Sequence, residues 1–521
     1  MLSQHSNIAV RSKMFFSKPY VLWSVLLISA LLTPFTFAPY NLFWLMPVLL
    51  AVLIVVLLKQ PKHILLGAYF WAITAYTAQF YWIDIALHDI AGLNQFLAVP
   101  LTLMLPAYLA IYPTVTFWLF NKFKLSEKTK VVFVLPALWT VSEFIRERAL
   151  TGFGWGAVGY SQIAQSPLAG YAPIGGILLV TFFTVFSAAC LAWLWIETNK
   201  SFCIKILFCL CGLWLSGIIL LQCNFTKLDG TQATVALAQG NIKQSLKWDE
   251  NNLQAILQRY FDQVAESRAD IVILPETAIP IMRQAIPELM LAQFSDMARQ
   301  NGSALATGMP QYTANGRDYQ NAVVSLSQNG VDIRKPPFYA KNHLVPFGEY
   351  IPLPNLMGWI YQLMHMPLAG FSKGGADQSP LLLANQRVAF NICYEDGFGD
   401  ELIRSAKQSS LLANISDMGW YGHSAAMYQQ LQQSQTRALE LGRYMVRATN
   451  NGVTAIIDPK GKVIAQLTPD KAAVLQGTIL GYHGSTPYMW LGSSWPLMIL
   501  LCLLLILGWF YGYRYNKRKN N

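Results

Sequence analysis

Cys393 is the residue of this chain with the most chemistry within reach. It closes a β-rich run at 388–392 and is followed at once by Tyr394-Glu395-Asp396-Gly397. Of the seven cysteines, it alone stands clear of the long apolar stretches and their edges. Such a thiol is either a small buried core residue or a nucleophile at a strand end, and its position fits both. A nucleophile needs a base and a group that stabilises charge on the attacked carbonyl. Glu276 follows Ile271-Val272-Ile273-Leu274-Pro275, where the proline stops the ladder and leaves the carboxylate at a sheet edge. Lys341 lies in Tyr339-Ala340-Lys341-Asn342-His343-Leu344-Val345-Pro346-Phe347-Gly348-Glu349. An ammonium near a thiol lowers its pKa and stabilises an oxyanion. A solvated loop acid and a surface lysine are the plain alternatives for these two. His343 or His423 would serve as base in a Cys–His arrangement. There is no P-loop, dinucleotide glycine motif or metal-ligand cluster, so neither cofactor nor metal is expected.

The elements that must position these residues are legible around them. Within 224–488, β-rich runs occur at 233–238, 271–274, 304–308, 322–326, 388–392, 411–415 and 453–457. Helical stretches at 250–265, 287–300 and 425–444 lie between several of them. This order predicts an α/β domain, a sheet covered by helices. The segment holds 21 acidic and 21 basic residues, so it is nearly neutral.

The rest of the chain differs. Only 12% of all 521 residues are charged, against about 25% in soluble proteins. That excludes a disordered chain, a highly charged nucleic-acid tail and an ordinary cytosolic enzyme. Apolar stretches at 20–38, 42–58, 64–83, 97–120, 131–145, 177–196, 206–223 and 491–513 approach the roughly 17–25 residues that cross a bilayer. About eight spans are expected, with 131–145 the weakest. The connecting segments on one side, from Arg11, Lys13 and Lys18 to the tail with Arg514, Lys517, Arg518 and Lys519, carry fifteen basic residues. The opposite short loops carry two, Arg146 and Arg148. This asymmetry predicts cytoplasmic termini and a large domain on the other side. The net charge of +11 thus records orientation and is no argument for nucleic acid. Three regions follow: a membrane domain at 1–223, a catalytic domain at 224–488, and a last span with basic tail at 489–521.

Four segments in order carry a resemblance. Leu274-Pro275-Glu276-Thr277, the Lys341 segment, Asn391-Ile392-Cys393-Tyr394-Glu395, and Arg447-Ala448-Thr449-Asn450-Asn451-Gly452 with the following Ile457-Asp458-Pro459-Lys460-Gly461 resemble the nitrilase superfamily of carbon–nitrogen hydrolases. The resemblance implies an α-β-β-α sandwich inserted in a polytopic α-helical membrane protein, with Glu276, Lys341 and Cys393 as catalytic set. Asn241-Ile242-Lys243-Gln244 with Trp248, the stretch 343–349, and Asp417-Met418-Gly419-Trp420-Tyr421-Gly422 are similar to signatures of a membrane-embedded branch of that superfamily. Gly159-Tyr160-Ser161-Gln162 is a local echo of it in the membrane domain. That branch implies an acyltransferase of the bacterial inner membrane, its catalytic domain periplasmic. The acyl donor would be a phospholipid, phosphatidylethanolamine foremost. The acceptor would be the α-amine of a diacylglyceryl-cysteine apolipoprotein, reached through a thioester on Cys393. Glu349, Tyr394 and Glu395 match positions that shape the site, and Trp248 and Trp420 are candidate substrate contacts.

Residues 350–372 contain no Asp, Glu, Lys or Arg but include Trp359 and Met364. They read as a buried subdomain or as an apolar arm that meets the membrane and admits acyl chains. Glu143, Arg146, Glu147 and Arg148 form a charge cluster at a span end. A salt-bridged helix end is the plain reading and a headgroup contact the sharper one. A membrane-anchored amidase or nitrilase-type hydrolase would use the same three catalytic residues with water as acceptor. A transporter or receptor would need ionisable residues along its spans, which are nearly lacking.

Overall fold

The computed structural model describes residues 19–163, 165–326, 332–351, 355 and 370–520, with side chains through 514. Among the described residues, two six-stranded sheets are built from strands between Lys227 and His483. The first has the order β12 (Ala473–His483), β1 (Lys227–Gln239), β2 (Ile271–Ile273), β3 (Ala304–Tyr312), β4 (Tyr319–Ser325), β5 (Phe338–Ala340). The second runs β11 (Val463–Gln466), β10 (Ala455–Ile457), β9 (Met445–Thr449), β8 (Leu411–Ser416), β7 (Gln386–Ile392), β6 (Leu381–Leu383). In each, a parallel centre (β1-β2-β3 and β7-β8-β9) is flanked by antiparallel strands.

Side chains alternate across a strand, and that period builds the layers. Val235 and Leu237 of β1 face inward and meet Phe390, Ile392, Ile415 and Val446 of the opposite sheet. Ala236 and Ala238 face outward, under Ile256, Tyr260 and Phe294 of the helices Glu250–Glu266 and Glu288–Gln300. The far face of the second sheet is covered by helices Gly399–Lys407 and Ala425–Leu441. The result is a four-layer α-β-β-α sandwich. The last of these helices stops at Gly442, which adopts φ +60°, a conformation that glycine takes without penalty. It therefore ends three residues before the predicted 444 and leaves 445–449 to β9.

The helical region contains Pro19–Leu31, Leu45–Lys59, Ile64–Gln79, Gln95–Lys122, Leu135–Arg146, Ala172–Ile196, Lys200–Gln222 and Trp495–Asn520. Four helical stretches are long and apolar enough to cross a membrane, at 95–122, 167–196, 200–222 and 495–514. Leu45–Lys59 and Pro61–Gln79 form a pair bent by 107° that together meets the same test. The predicted stretches at 20–38, 42–58, 64–83 and 131–145 carry α-helices of 13, 15, 16 and 12 residues. Breakers shorten them: a 3-10 turn at Thr33–Thr36 with Pro34, and Gln60-Pro61. The helix Leu135–Arg146 continues from a π-helical turn at Lys130–Val134.

The helical region and the sandwich share one core. Phe80, Trp82, Leu109 and Trp155 pack with Tyr394, Phe398, Met427 and Leu431.

Candidate active site

Three loops at the same end of the two sheets converge. The first leaves β2 and carries Glu276, which is buried. Its Oε1 accepts from Asn321 Nδ2 at 2.7 Å, and its Oε2 accepts from the Asp417 backbone N–H at 2.8 Å. The second follows β5 and carries Lys341, 1% exposed. Lys341 Nζ lies 2.9 Å from Glu349 Oε2 and 3.7 Å from Glu276 Oε1. The third follows β7 and carries Cys393, a non-glycine residue at φ +55°. Such a backbone is strained and is held only when its surroundings fix it.

Those surroundings are polar and buried. The Glu395 carboxylate accepts from Ile392 N–H at 2.6 Å, Asn342 N–H at 2.7 Å, His343 N–H at 3.0 Å and Tyr339 O–H at 2.9 Å. It thus locks the Cys393 turn to the Lys341 loop. Asn414 Nδ2 donates to the Cys393 carbonyl at 3.3 Å. Gln430 Nε2 approaches the Cys393 sulfur at 3.9 Å and is itself held by Arg447. Arg447 also pairs with Asp396 at 2.9 Å. Lys247, in a buried pair with Asp417, donates to the Glu276 carbonyl at 3.0 Å.

The electrostatics follow. Burial pushes the Glu276 carboxyl above its usual range; Lys341 opposes this, and Glu349 and Asp417 add to it. For Lys341, burial alone would favour the neutral amine. Glu349 and Glu276 more than offset that and hold its pKa above the usual value. Burial also raises the Cys393 thiol, with Glu276 acting the same way and Lys341 opposing. Lys341 does lower the thiol pKa, but burial and the neighbouring carboxylate outweigh it. The thiol thus rests protonated, within the electrostatic reach of the Glu276 carboxylate. Burial likewise lifts Glu395 to about 7, against four donors that favour its ionised form.

Neither histidine competes. His343 Nδ1 faces Glu401 at 2.9 Å, Nε2 faces the Thr151 carbonyl at 3.1 Å, and its ring stacks on Phe398. His423 pairs with Asp470 at 2.7 Å and is exposed. Of the other residues singled out from sequence, Glu349 is the lysine's ion-pair partner, and Tyr394 donates to the Gly152 carbonyl at 3.1 Å. Trp248 and Trp420 are half-buried on turns beside Lys247 and Asp417. Trp359 and Met364 lie outside the described residues, as does most of 350–372. The charge cluster resolves into ion pairs for Arg148, with Glu147 and Asp400. Glu143 accepts from Val158 N–H, Trp139 Nε1 and Thr181 O–H.

Sequence reasoning missed Asn321, Gln430 and Lys247, and quoted Asp417 and Tyr421 only within a signature, without a role for either. Asn321 left a signal, as a lone amide next to the apolar run Ala322-Val323-Val324. Tyr421 meets Trp82 at 4.6 Å between ring centroids. Burial first, and then Cys393, raise the pKa of its hydroxyl.

A four-layer sandwich with two parallel-centred sheets, in which buried Glu276 and Lys341 meet a partly exposed Cys393, is the architecture of the carbon–nitrogen hydrolases, and residues 234–488 match the family model described as "Carbon-nitrogen hydrolase". Residues 29–190 match the one described as "Apolipoprotein N-acyltransferase N-terminal domain". The chain is 54% identical over 504 residues to the apolipoprotein N-acyltransferase of Neisseria meningitidis serogroup B, covering 95% of this chain and 97% of that one. It is 50% identical over 493 residues to that of Chromobacterium violaceum, covering 93% and 94%. With that of Nitrosomonas europaea the identity is 40% over 476 residues, covering 91% and 94%. The chain belongs to the apolipoprotein N-acyltransferase family.

Proposed function

We propose that this protein moves an acyl chain from a membrane phospholipid to the α-amine of a diacylglyceryl-cysteine at the N-terminus of an apolipoprotein. The observation that carries the reading is the shared burial of Glu276, Lys341 and the Cys393 turn in a chain of this family. Glu276 takes the thiol proton as sulfur attacks the sn-1 ester carbonyl. Lys341 stabilises the oxyanion. The ester C–O bond breaks, the protonated Glu276 returns its proton to the leaving alkoxide, and a lysophospholipid departs. The acyl group remains as a thioester on Cys393. The acceptor amine then attacks the thioester carbonyl, Glu276 removes the amine proton, and the thiol is restored as the amide forms. This is covalent catalysis in two half-reactions. Glu349 keeps Lys341 charged and in place, and Glu395 holds the two loops in register. Tyr394 ties the nucleophile turn to the helical region. Trp248 and Trp420, with Trp359 and Met364, are read as substrate contacts. Phosphatidylethanolamine is the proposed donor.

The eight helices of the helical region are read as eight spans, with the shorter ones packed among the longer. The excess of basic residues in one set of loops supports cytoplasmic termini and a periplasmic catalytic domain at 224–488. The segments 1–223 and 489–521 are then the membrane-embedded ones.

The test is an intact-mass measurement of the purified protein incubated with phospholipid. A thioester-linked acyl adduct should form, be absent in Cys393→Ala and in Glu276→Gln, and be discharged by a diacylglyceryl lipopeptide. If water discharged the adduct as fast as the lipopeptide amine, a hydrolase would be the right reading. No adduct at all would sink the mechanism.

A further inference from the structure

Arg146 is not accounted for by the site described above. It ends the helix Leu135–Arg146 with its side chain 1% exposed, yet only Nη1 has a hydrogen-bond partner, the Tyr76 hydroxyl at 3.3 Å. Its Nε and Nη2 have none among the described residues. The nearby acids are engaged elsewhere: Glu143 with Val158, Trp139 and Thr181, and Glu147 with Arg148. A buried guanidinium without a carboxylate partner is costly and, at membrane depth, marks a functional position. A second group behaves alike. Gln79, one turn after Tyr76 and 3% exposed, has both amide atoms without a partner among the described residues. It lines a narrow cavity with Tyr76, Trp139 and Val158.

Arg146 is linked through the 152–153 backbone to Tyr394, the residue after Cys393. The Arg146 carbonyl accepts from Phe153 N–H at 2.9 Å. The preceding Gly152 carbonyl accepts from the hydroxyl of Tyr394, the residue after Cys393. The positive charge of Arg146 also reaches Tyr394. The ligand that matches is an anion with several acceptor oxygens: a planar guanidinium fork meets a phosphate in bidentate fashion.

We propose that Arg146, with Gln79 and Tyr76, receives the phosphodiester of the phospholipid acyl donor and so sets how the ester is presented to Cys393. The inference rests on the acyl-transfer reading above. Side chains close the subsite: Tyr76 stacks on Phe80, which meets Phe153 edge-on. Entry of a headgroup therefore requires these side chains to move.

The test compares two donors with identical acyl chains, phosphatidylethanolamine and diacylglycerol, using the full-length protein in nanodiscs and the rate of acyl adduct formation. Arg146→Gln should raise the half-saturating phosphatidylethanolamine at least tenfold and shift that for diacylglycerol less than twofold, with the limiting rate nearly kept. Arg146→Lys should fall between. Equal losses with both donors, or no loss with either, would overturn the subsite, since a structural role does not depend on the phosphate. Should Arg146→Gln not fold, Gln79→Leu gives the same comparison with a severalfold effect. The unaltered protein supplies a further check: soluble glycerophosphoethanolamine must raise the half-saturating phosphatidylethanolamine. Lack of competition refutes the proposal, and so does inorganic phosphate competing equally well, which would mark a free-phosphate site. No adduct from either donor would instead defeat the acyl-transfer reading, and this subsite with it.

Discussion

Lys341 sits between two carboxylates and reports on both. Removing its charge as Lys341→Met should slow single-turnover acylation of Cys393 roughly 100–1,000-fold, the usual cost of losing an oxyanion donor. The pH profile is the sharper readout. In the proposed mechanism ionised Glu276 takes the thiol proton, and burial already holds its pKa above the usual carboxyl range, with Lys341 the main opposing charge. Without the lysine the Glu276 pKa rises further, so the acid limb of the rate profile must move to higher pH. A limb that stays put or moves down would contradict this assignment. Cys393 offers a test of strain. Because it sits at φ +55°, Cys393→Gly should be more stable than Cys393→Ala by about 1 kcal/mol in thermal or chemical unfolding. Glu276 and Cys393 were legible in the sequence because each stands at the end of a β-rich run, and Lys341 was legible through the motif 339–349. Their supports were not: the four donors to Glu395 come from positions 339, 342, 343 and 392, and only the fold brings the two loops face to face.

At the scale of elements, the site depends on how closely strands pass its loops. A Cβ on Gly308 of β3 would stand 2.8 Å from Glu276 Cα, against the backbone of the Glu276 turn. Gly308→Ala should therefore displace the base; expected are a loss of about 1–3 kcal/mol in stability and a larger relative loss of adduct formation than its change in melting temperature explains. Glu395 couples two elements and also titrates. Its folded pKa of about 7 is raised above the ordinary value. Its contribution to stability is thus present below the unfolded carboxyl pKa and is lost as pH rises through about 7. Glu395→Gln cannot accept from all four donors and should cost about 1–3 kcal/mol per donor left unpaired. Because only the carboxyl ionises, the gap in melting temperature between wild type and Glu395→Gln should narrow from pH 5 to pH 8. Most central strands were legible from apolar runs between turns. β5 and β6 are three residues each, too short for a period to register. β9 carries the buried Arg447, which masks its apolar character, and β12 reads as Leu-Gln-Gly-Thr with little alternation.

Across the whole molecule, the catalytic domain is docked on the helices through buried polar contacts. Trp155 Nε1 donates to Gln429, and Arg437 to the Tyr160 hydroxyl. Glu440 pairs with Arg437 at 3.1 Å and accepts the Ile177 N–H at 2.6 Å. Glu440→Ala would leave a buried cation and a backbone amide without partners and should cost about 3–5 kcal/mol, read as a lower melting temperature in detergent. Charge counting supports the proposed orientation, because basic residues concentrate in one set of loops. It could not reveal this docking, whose partners lie 263 residues apart. The amide of Ile177 is free for Glu440 because Gly175 and Gly176 interrupt the helix Ala172–Ile196. During synthesis that helix emerges long before its acceptor. At about 5–20 residues per second, the amide waits on the order of ten to fifty seconds for residue 440 to be made. Until residue 440 has been made and the sandwich has folded onto this break, the half-finished chain keeps an open helix end, and nascent chains arrested before residue 440 should show fast amide exchange at 175–177.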